Sequence, residues 1–231
     1  MAEIQNPEQK SDEWLIKRLG KFCGSKVGEL MAGERGKDKL TTFSQTGMAY
    51  IYQVAGERDL LDCYKRTGDE FTLFREATEI SSKSLSFGND YEPMARERYE
   101  KKTKRHMSEV SSCVCKVLPC LAASPDGFYC DDNGNAGVLE IKSQSLSVYY
   151  KFRNEVHDNE TLKKMKPEYY WQCIAEMICT NAAWCDFTVF NPFVKHYLHI
   201  TRIYPVEEDV SFLLAKVKLA DEMVNDILNK E

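Results

Sequence analysis

Apolar positions along this chain follow first a helical period, then a period of two, then a mixture, and the switches predict the architecture. Trp14, Leu15, Leu19 and Phe22 fall near helical spacing in a region over 12–33 that Asp12 could cap. Gly20 and Gly24 interrupt it, so a helix, a turn and a second helix are expected there. Residues 33–39 are a polar loop, and Met48, Ile51, Tyr52 and Ala55 predict a helix over 42–61. Residues 62–86 show no clear period. A helix over 91–103 follows, where Pro93 is tolerable only as part of the first turn. Strand-like segments then cover 112–117, 121–129 and 138–143, with Asp131-Asp-Asn-Gly-Asn135 offering hairpin chemistry between the last two. Lys166-Pro167 opens a helix to about Thr180, and 184–190 and 196–204 read as strands joined at Asn191-Pro192. Residues 210–228 are amphipathic, with Val210, Leu213, Leu214, Val217, Val224, Ile227 and Leu228 on one side. Helices, then strands, then helix, hairpin and helix predict an α/β or α+β domain.

Composition narrows the class. The 231 residues are 43% hydrophobic and 29% charged, an ordinary globular balance with no repeat, low-complexity tract or long linker. A single domain over 1–231 is expected, with about residues 1–11 loose. No apolar run approaches the roughly 20 residues of a membrane span. The polar N-terminus has no apolar signal core, and nine cysteines are an odd number, so a reduced cytoplasmic protein is expected. Lys and Arg number 31 against 36 Asp and Glu, a formal charge of −5. That argues against coating nucleic acid by bulk charge, but leaves room for one local basic surface.

The informative stretch is Leu121-Ala-Ala-Ser-Pro-Asp126-Gly followed by Val138-Leu-Glu140-Ile-Lys142. Strand alternation sends Glu140 and Lys142 to one face and Ile141 to the other, toward the core. The 131–135 turn lets the strands pair, so Asp126 can lie beside Glu140. Two carboxylates on adjacent strands form a hard oxygen site suited to Mg²⁺ or Mn²⁺. A lysine beside it can stabilise an oxyanion or help deprotonate a water, which are the parts for metal-assisted phosphodiester hydrolysis. Two acids and a lysine on a hairpin are also the ordinary dress of a solvated sheet face.

Ser-Pro-Asp-Gly, a hairpin, then apolar-Glu-apolar-Lys resembles the PD-(D/E)XK nuclease signature, and more narrowly the lambda-type phage exonucleases, or YqaJ-like viral recombinases. Further motifs in the family's order extend the resemblance over roughly residues 12–205. Trp14-Leu-Ile-Lys-Arg18-Leu-Gly is similar to a Trp-x-x-x-Arg-x-Gly motif, and Ser25 stands where the family has a serine. Phe87-Gly-Asn-Asp-Tyr-Glu92 with Ala95-Arg96 resembles a Gly-x-x-Tyr-Glu helix, and Tyr169-Tyr-Trp-Gln172 a Tyr-x-x-Gln helix. Cys23 replaces a family threonine, and Pro93 after Glu92 is a second departure.

The resemblance implies a restriction-endonuclease-like core, a mixed central sheet flanked by helices. It implies Asp126, Glu140 and the Ile141 carbonyl as metal ligands, with Glu92 reaching a second metal position. Lys142 would be the catalytic lysine, and Gln172 would position the reacting strand, with Tyr169 one helical turn before it. Arg18, Ser25 and Ser124 would hold a 5′-phosphate. The implied activity is Mg²⁺-dependent 5′→3′ digestion of double-stranded DNA ends, leaving 3′ overhangs, in phage-type recombination. A homotrimeric ring and a single-strand annealing partner are implied with it. Other readings of the same core are an endonuclease, a repair nuclease or an inactive DNA-binding module. Each outer residue also has a plain reading: Arg18 as one surface base beside Lys17 and Lys21, Gln172 and Tyr169 as an exposed helix edge, Glu92 as one of several acids with Asp90, Glu97 and Glu100.

Lys101-Lys-Thr-Lys-Arg105, with Lys101, Lys102, Lys104 and Arg105, is a candidate for duplex backbone contact, and Lys163, Lys164 and Lys166 a weaker one. Cys113, Cys115, Cys120 and Cys130 have no ligand-like spacing, so packing is expected. His196 and His199, three apart in a strand, face opposite ways and do not share a metal.

Overall fold

Two sheets and the helices between them place the carboxylates of the central hairpin at a sheet edge. The computed structural model describes residues 8–78 and 83–230, the stretch 83–89 by its backbone alone. The side chains of Phe87 and Asn89, part of the Gly-x-x-Tyr-Glu resemblance, therefore lie outside the described residues. In chain order the elements are α1 (Asp12–Arg18), β1 (Phe22–Cys23), α2 (Gly24–Val27), α3 (Gln45–Asp59), α4 (Asp69–Thr78) and α5 (Lys83–Thr103). Then come β2 (Cys113–Val114), β3 (Leu121–Ala123), β4 (Gly127–Cys130) and β5 (Ala136–Ser143). The chain continues through α6 (Leu146–Glu155), α7 (Asn159–Met165), α8 (Pro167–Thr180), β6 (Trp184–Phe190), β7 (Leu198–Ile203) and α9 (Glu207–Leu228). Among the described residues, no helix is long and apolar enough to cross a membrane.

The larger sheet runs β4-β5-β6-β7, antiparallel at both ends and parallel between β5 and β6. The parallel step requires a crossover, which α6, α7 and α8 supply. The mixed sheet flanked by helices is the expected architecture. Its two faces differ. Leu139 and Ile141 pack with Ala95 and Tyr99 of α5, whereas Val138 joins the main core with Ile174 and Met177 of α8. Glu140 and Lys142 continue the Val138 face, so they point toward α8.

The second sheet, β1-β3-β2, arises because residues 121–129 do not form one strand. Ser124-Pro125-Asp126 breaks it, since Pro125 has no N–H to give a ladder. β3 then pairs with β1 and β2, while β4 joins the hairpin. β1 pairs in parallel with β3, Phe22 opposite Leu121 and Cys23 opposite Ala122. Continuing that register sets Gly24 against Ala123, where a Cβ on Gly24 would stand 3.0 Å from the Ala123 Cβ. Gly28 permits a second close approach: a Cβ there would lie 2.8 Å from the Glu168 Cα at the start of α8.

Several expectations need correction. Ser11, not Asp12, caps α1, its hydroxyl accepting from the Trp14 N–H. The start of the chain is not loose from Glu8 to Ser11, because the Gln9 amide donates to the carbonyls of Val110 (2.7 Å) and Pro125 (3.0 Å). Pro93 sits in the interior of α5 rather than in a first turn. It removes one backbone bond, and burial of Ala95 and Tyr99 against the sheet offsets that loss. The strand expected over 112–117 is reduced to Cys113–Val114, and the last helix starts at Glu207.

Arg105 is turned inward. With Arg202 it clamps Asp186 of β6, which is only 1% exposed, at 2.9 Å and 2.7 Å. The hydroxyls of Tyr99 and Tyr129 donate to the same carboxylate at 2.5 Å and 3.2 Å. This knot ties α5 to the sheet. Asp186→Ala should therefore destabilise the fold by about 2–4 kcal/mol, because it strands two guanidinium groups and two buried hydroxyls. Urea unfolding is expected to show a lower midpoint with an unchanged slope; an unchanged midpoint would make the knot incidental.

Candidate active site

Asp126 and Glu140 are brought together by the way β4 ends. Beyond Gly127 the backbone ladder gives way, and one Asp126 carboxylate oxygen accepts the Ile141 N–H at 2.6 Å. The Asp126 N–H still reaches the Leu139 carbonyl at 2.9 Å. A strand residue sends its N–H and C=O to the same side, so the Ile141 carbonyl also faces this opened edge. Asp126 keeps a small opening to solvent but is otherwise enclosed by protein.

Glu140 is 2% exposed, far from a solvated sheet face. Its Oε1 lies 2.6 Å from the Lys142 Nζ, while its buried Oε2 has no hydrogen-bond partner. A buried carboxylate oxygen left unpaired is costly, and a cation is the natural means of satisfying it. Lys142 also donates to the Gln172 Oε1 at 3.1 Å and stands 5.1 Å over the Tyr169 ring. Gln172 is buried, not on an exposed helix edge, and Tyr169 is half-buried, stacked on Phe152 and bonded by the Gln144 amide.

Burial and the neighbouring charges of Glu140 and Glu92 push the Asp126 carboxyl well above its usual range. Burial alone would lower Lys142, but the charges of Glu140 and Asp126 outweigh it and raise its pKa. Lys142 is thus a cation at neutral pH, equipped to stabilise negative charge rather than to take a proton.

Glu176 is the residue that sequence reading missed. It is 1% exposed, accepts from the Gln172 Nε2 at 2.9 Å, and lies close enough to Glu140 that burial and the Glu140 charge raise its pKa strongly. A signal existed: it stands four residues after Gln172 on an expected helix, hence on the same face.

The remaining candidates divide. The Arg18 guanidinium donates to the Ser124 hydroxyl at 3.2 Å and stacks 4.0 Å from the Trp14 ring, two residues from Asp126. Ser25 is exposed in α2 and hydrogen-bonds to neither. Glu92 is within electrostatic reach of Asp126, but its oxygens are held by Lys10 (3.0 Å) and Arg96 (3.5 Å). The basic run does not form one surface. Lys101 pairs with Glu97, Lys102 reaches the Leu198 carbonyl, Lys104 is exposed, and Arg105 is half-buried with its guanidinium on Asp186. Lys163 is paired with Asp209, and Lys166 lies 5.8 Å from the Tyr169 ring.

Among the described residues, no three His, Cys, Asp or Glu side chains are placed to close around one ion. The fit to a metal is therefore a two-carboxylate one, Asp126 and Glu140 with the Ile141 carbonyl, a hard oxygen set suited to Mg²⁺ or Mn²⁺. Cys115 is buried in the main core with Cys113 and Cys120 packed at its side, while Cys130 is exposed on the hairpin. His199 is held by the Val156 carbonyl at 2.7 Å.

Residues 13–183 match the YqaJ-like viral recombinase domain. The chain belongs to this family. Its fold is that of an alkaline exonuclease from Laribacter hongkongensis, LHK-Exo, with a TM-score of 0.72 and 23% identity over 94% of each chain. The same exonuclease in complex with dAMP superposes with a TM-score of 0.71. A phage-related exonuclease from Haemophilus somnus 129PT gives 0.65 at 12% identity, covering 90% of this chain and 95% of that one. No curated protein sequence matches the chain.

Raised carboxyl pKa values fix the sign of a pH effect. Asp126 and Glu176 hold protons more tightly folded than unfolded, so their contribution is favourable below the unfolded value, roughly pH 4, and is lost as pH rises through the folded values. In chelator, the melting temperature should fall as pH rises above about 4 more steeply than for Asp126→Asn. At pH 7 that variant should melt higher, by roughly 2–4 °C per kcal/mol of relieved repulsion. A variant that melts lower, or with an unchanged pH slope, would remove the case for a strained carboxylate pair.

Proposed function

We propose that this protein is a Mg²⁺-dependent nuclease that digests double-stranded DNA 5′→3′ from free ends and leaves 3′ single-stranded overhangs. The observation that carries the reading is Glu140: buried, beside Asp126, with one oxygen on Lys142 and the other unpaired. An inactive binding module gains nothing from that cost, whereas a metal nuclease needs it. Mg²⁺, or Mn²⁺ in its place, would be held by Asp126, Glu140 and the Ile141 carbonyl. When bound, the ion supplies charge neutralisation and a water of lowered pKa.

The chain's own groups supply the rest. Lys142, cationic and anchored by Gln172, offers its ammonium to an oxygen of the reacting phosphate as charge builds there. Arg18 presents a planar fork suited to two oxygens of a terminal phosphate, with the hydroxyls of Ser124 and Ser25 beside it. That pocket begins two residues from Asp126, so a strand end held there lies next to the metal site. The LHK-Exo complex with dAMP agrees with a site that takes a nucleotide monophosphate. Tyr169 offers a ring against which a sugar or base can rest. Glu92, once released from Lys10, could serve a second ion. The ring of three subunits, the annealing partner and a cytoplasmic location belong to this reading as family expectations.

The deciding test is labelled linear duplex against closed circular plasmid, with Mg²⁺ and with chelator. Linear DNA alone should be degraded, and only with metal; nicking of the circle would favour an endonuclease. Glu140→Gln should abolish cleavage while end binding in Ca²⁺ persists. Lys142→Ala should lose roughly 10²–10³ in rate with little change in affinity. Arg18→Ala should erase the preference for 5′-phosphorylated over 5′-hydroxyl ends and leave slow cleavage. A variant that keeps the preference overturns the phosphate pocket.

A further inference from the structure

Glu176 poses a question that packing does not answer. Its carboxyl group sits in the core behind β5, 1% exposed, where an apolar side chain of similar size would be easier to bury. One oxygen accepts from the Gln172 Nε2 at 2.9 Å, and the other meets only the Cys185 thiol at 3.9 Å. No other hydrogen bond to that carboxylate forms among the described residues, and the neighbouring Glu140 charge adds to the cost of ionising it.

Gln172 is the link. Its amide has an acceptor end and a donor end, and the two demand different partners. Lys142 has donors only, so it can use nothing but the Gln172 oxygen, 3.1 Å away. Glu176 accepts the amide hydrogens and so forbids the flipped arrangement, in which the Gln172 NH₂ would point at the ammonium. The Gln172 oxygen and Glu140 then hold Lys142 from two directions, above the Tyr169 ring.

We infer that Glu176 is a positioning residue for the cleavage reaction: it locks the Gln172 amide with its oxygen toward Lys142, and so aims the ammonium. The inference rests on the nuclease reading above for its functional consequence, but the lock itself is a structural claim. It requires only an accepting oxygen at position 176. Glutamine can provide one there; methionine and leucine cannot.

The experiment compares Glu176→Gln, Glu176→Met, Glu176→Leu, Gln172→Ala and the double variant Gln172→Ala/Glu176→Met. Three properties are read: kcat and KM on linear duplex, the melting temperature, and the ¹⁵N side-chain amide signal of Gln172, assigned by its loss in Gln172→Ala. Methionine and leucine should lower kcat about 10-fold, in the range typical of groups that orient a site from behind, and leave KM within about 2-fold. Glutamine should restore kcat to within about 3-fold of the original. The double variant should be no slower than Gln172→Ala alone, because the effect passes entirely through Gln172. The melting temperature of the methionine variant should be unchanged or raised.

The amide signal should be shifted and protected in the original protein and in Glu176→Gln, and lost to free exchange in the methionine and leucine variants. An unprotected amide in the original protein overturns the inference whether or not the protein cleaves DNA. So does an unchanged kcat in Glu176→Met, a glutamine variant as slow as methionine, or losses that multiply in the double variant. A protein with a locked amide but no cleavage of linear duplex would instead sink the nuclease reading.

Discussion

The hydrogen bond from the Ile141 N–H to the Asp126 carboxylate is the contact on which the site depends. It gives the Ile141 N–H a side-chain acceptor in place of a backbone carbonyl, while Pro125, with no N–H, has no donor to offer a ladder. One consequence is that the larger sheet gains an open edge whose free carbonyl and carboxylate oxygens face the same way. Another is that the chain upstream of Asp126 is released to build the second sheet. Through β3 that sheet joins β1, just after the Arg18 segment, to the chain that leads into Ser124, which the Arg18 guanidinium reaches. The Arg18–Ser124 pair and the carboxylates are therefore two sides of one break in a strand.

Stability and chemistry pull in opposite directions around it. Asp126, Glu140 and Glu176 gather in a region with one lysine, and burial raises the cost of every unbalanced charge there. Elsewhere the protein balances its buried charge: Asp186 has two arginines and two tyrosine hydroxyls. The contrast is local and informative. One carboxylate is fully provided for and fastens α5 to the sheet. The others are left short of partners on the face toward α8, which is where a cation would be welcome.

Strand alternation was enough to place Glu140 and Lys142 on one face and Ile141 on the other, and the 131–135 turn to pair β4 with β5. Lys166-Pro167 marked the start of α8, which runs to Thr180 as expected, and period found the long C-terminal helix apart from its first turn. The failures have physical causes. A two-residue strand such as β1 has too few positions to show a period, yet it sets Phe22 and Cys23 against β3. Residues 121–129 read as one strand because apolar residues lie on both sides of Ser124-Pro125-Asp126-Gly127, and the effect of Pro125 on the ladder is a tertiary matter. Arg105 looked like part of a solvated basic run, since nothing in the sequence near it reveals Asp186, 81 residues away. Glu176 was overlooked because a lone acid in an apolar helix is read as a surface residue until its neighbours are known.

The central claim is that Asp126 and Glu140 share one divalent ion at the opened edge of the sheet. Anomalous diffraction from crystals soaked in Mn²⁺ tests it most directly. The account predicts one strong peak within coordination distance of an Asp126 oxygen, the Glu140 Oε2 and the Ile141 carbonyl, absent in Glu140→Gln. Mn²⁺ found only elsewhere, or none at this edge while Lys142 still caps Glu140, would contradict it.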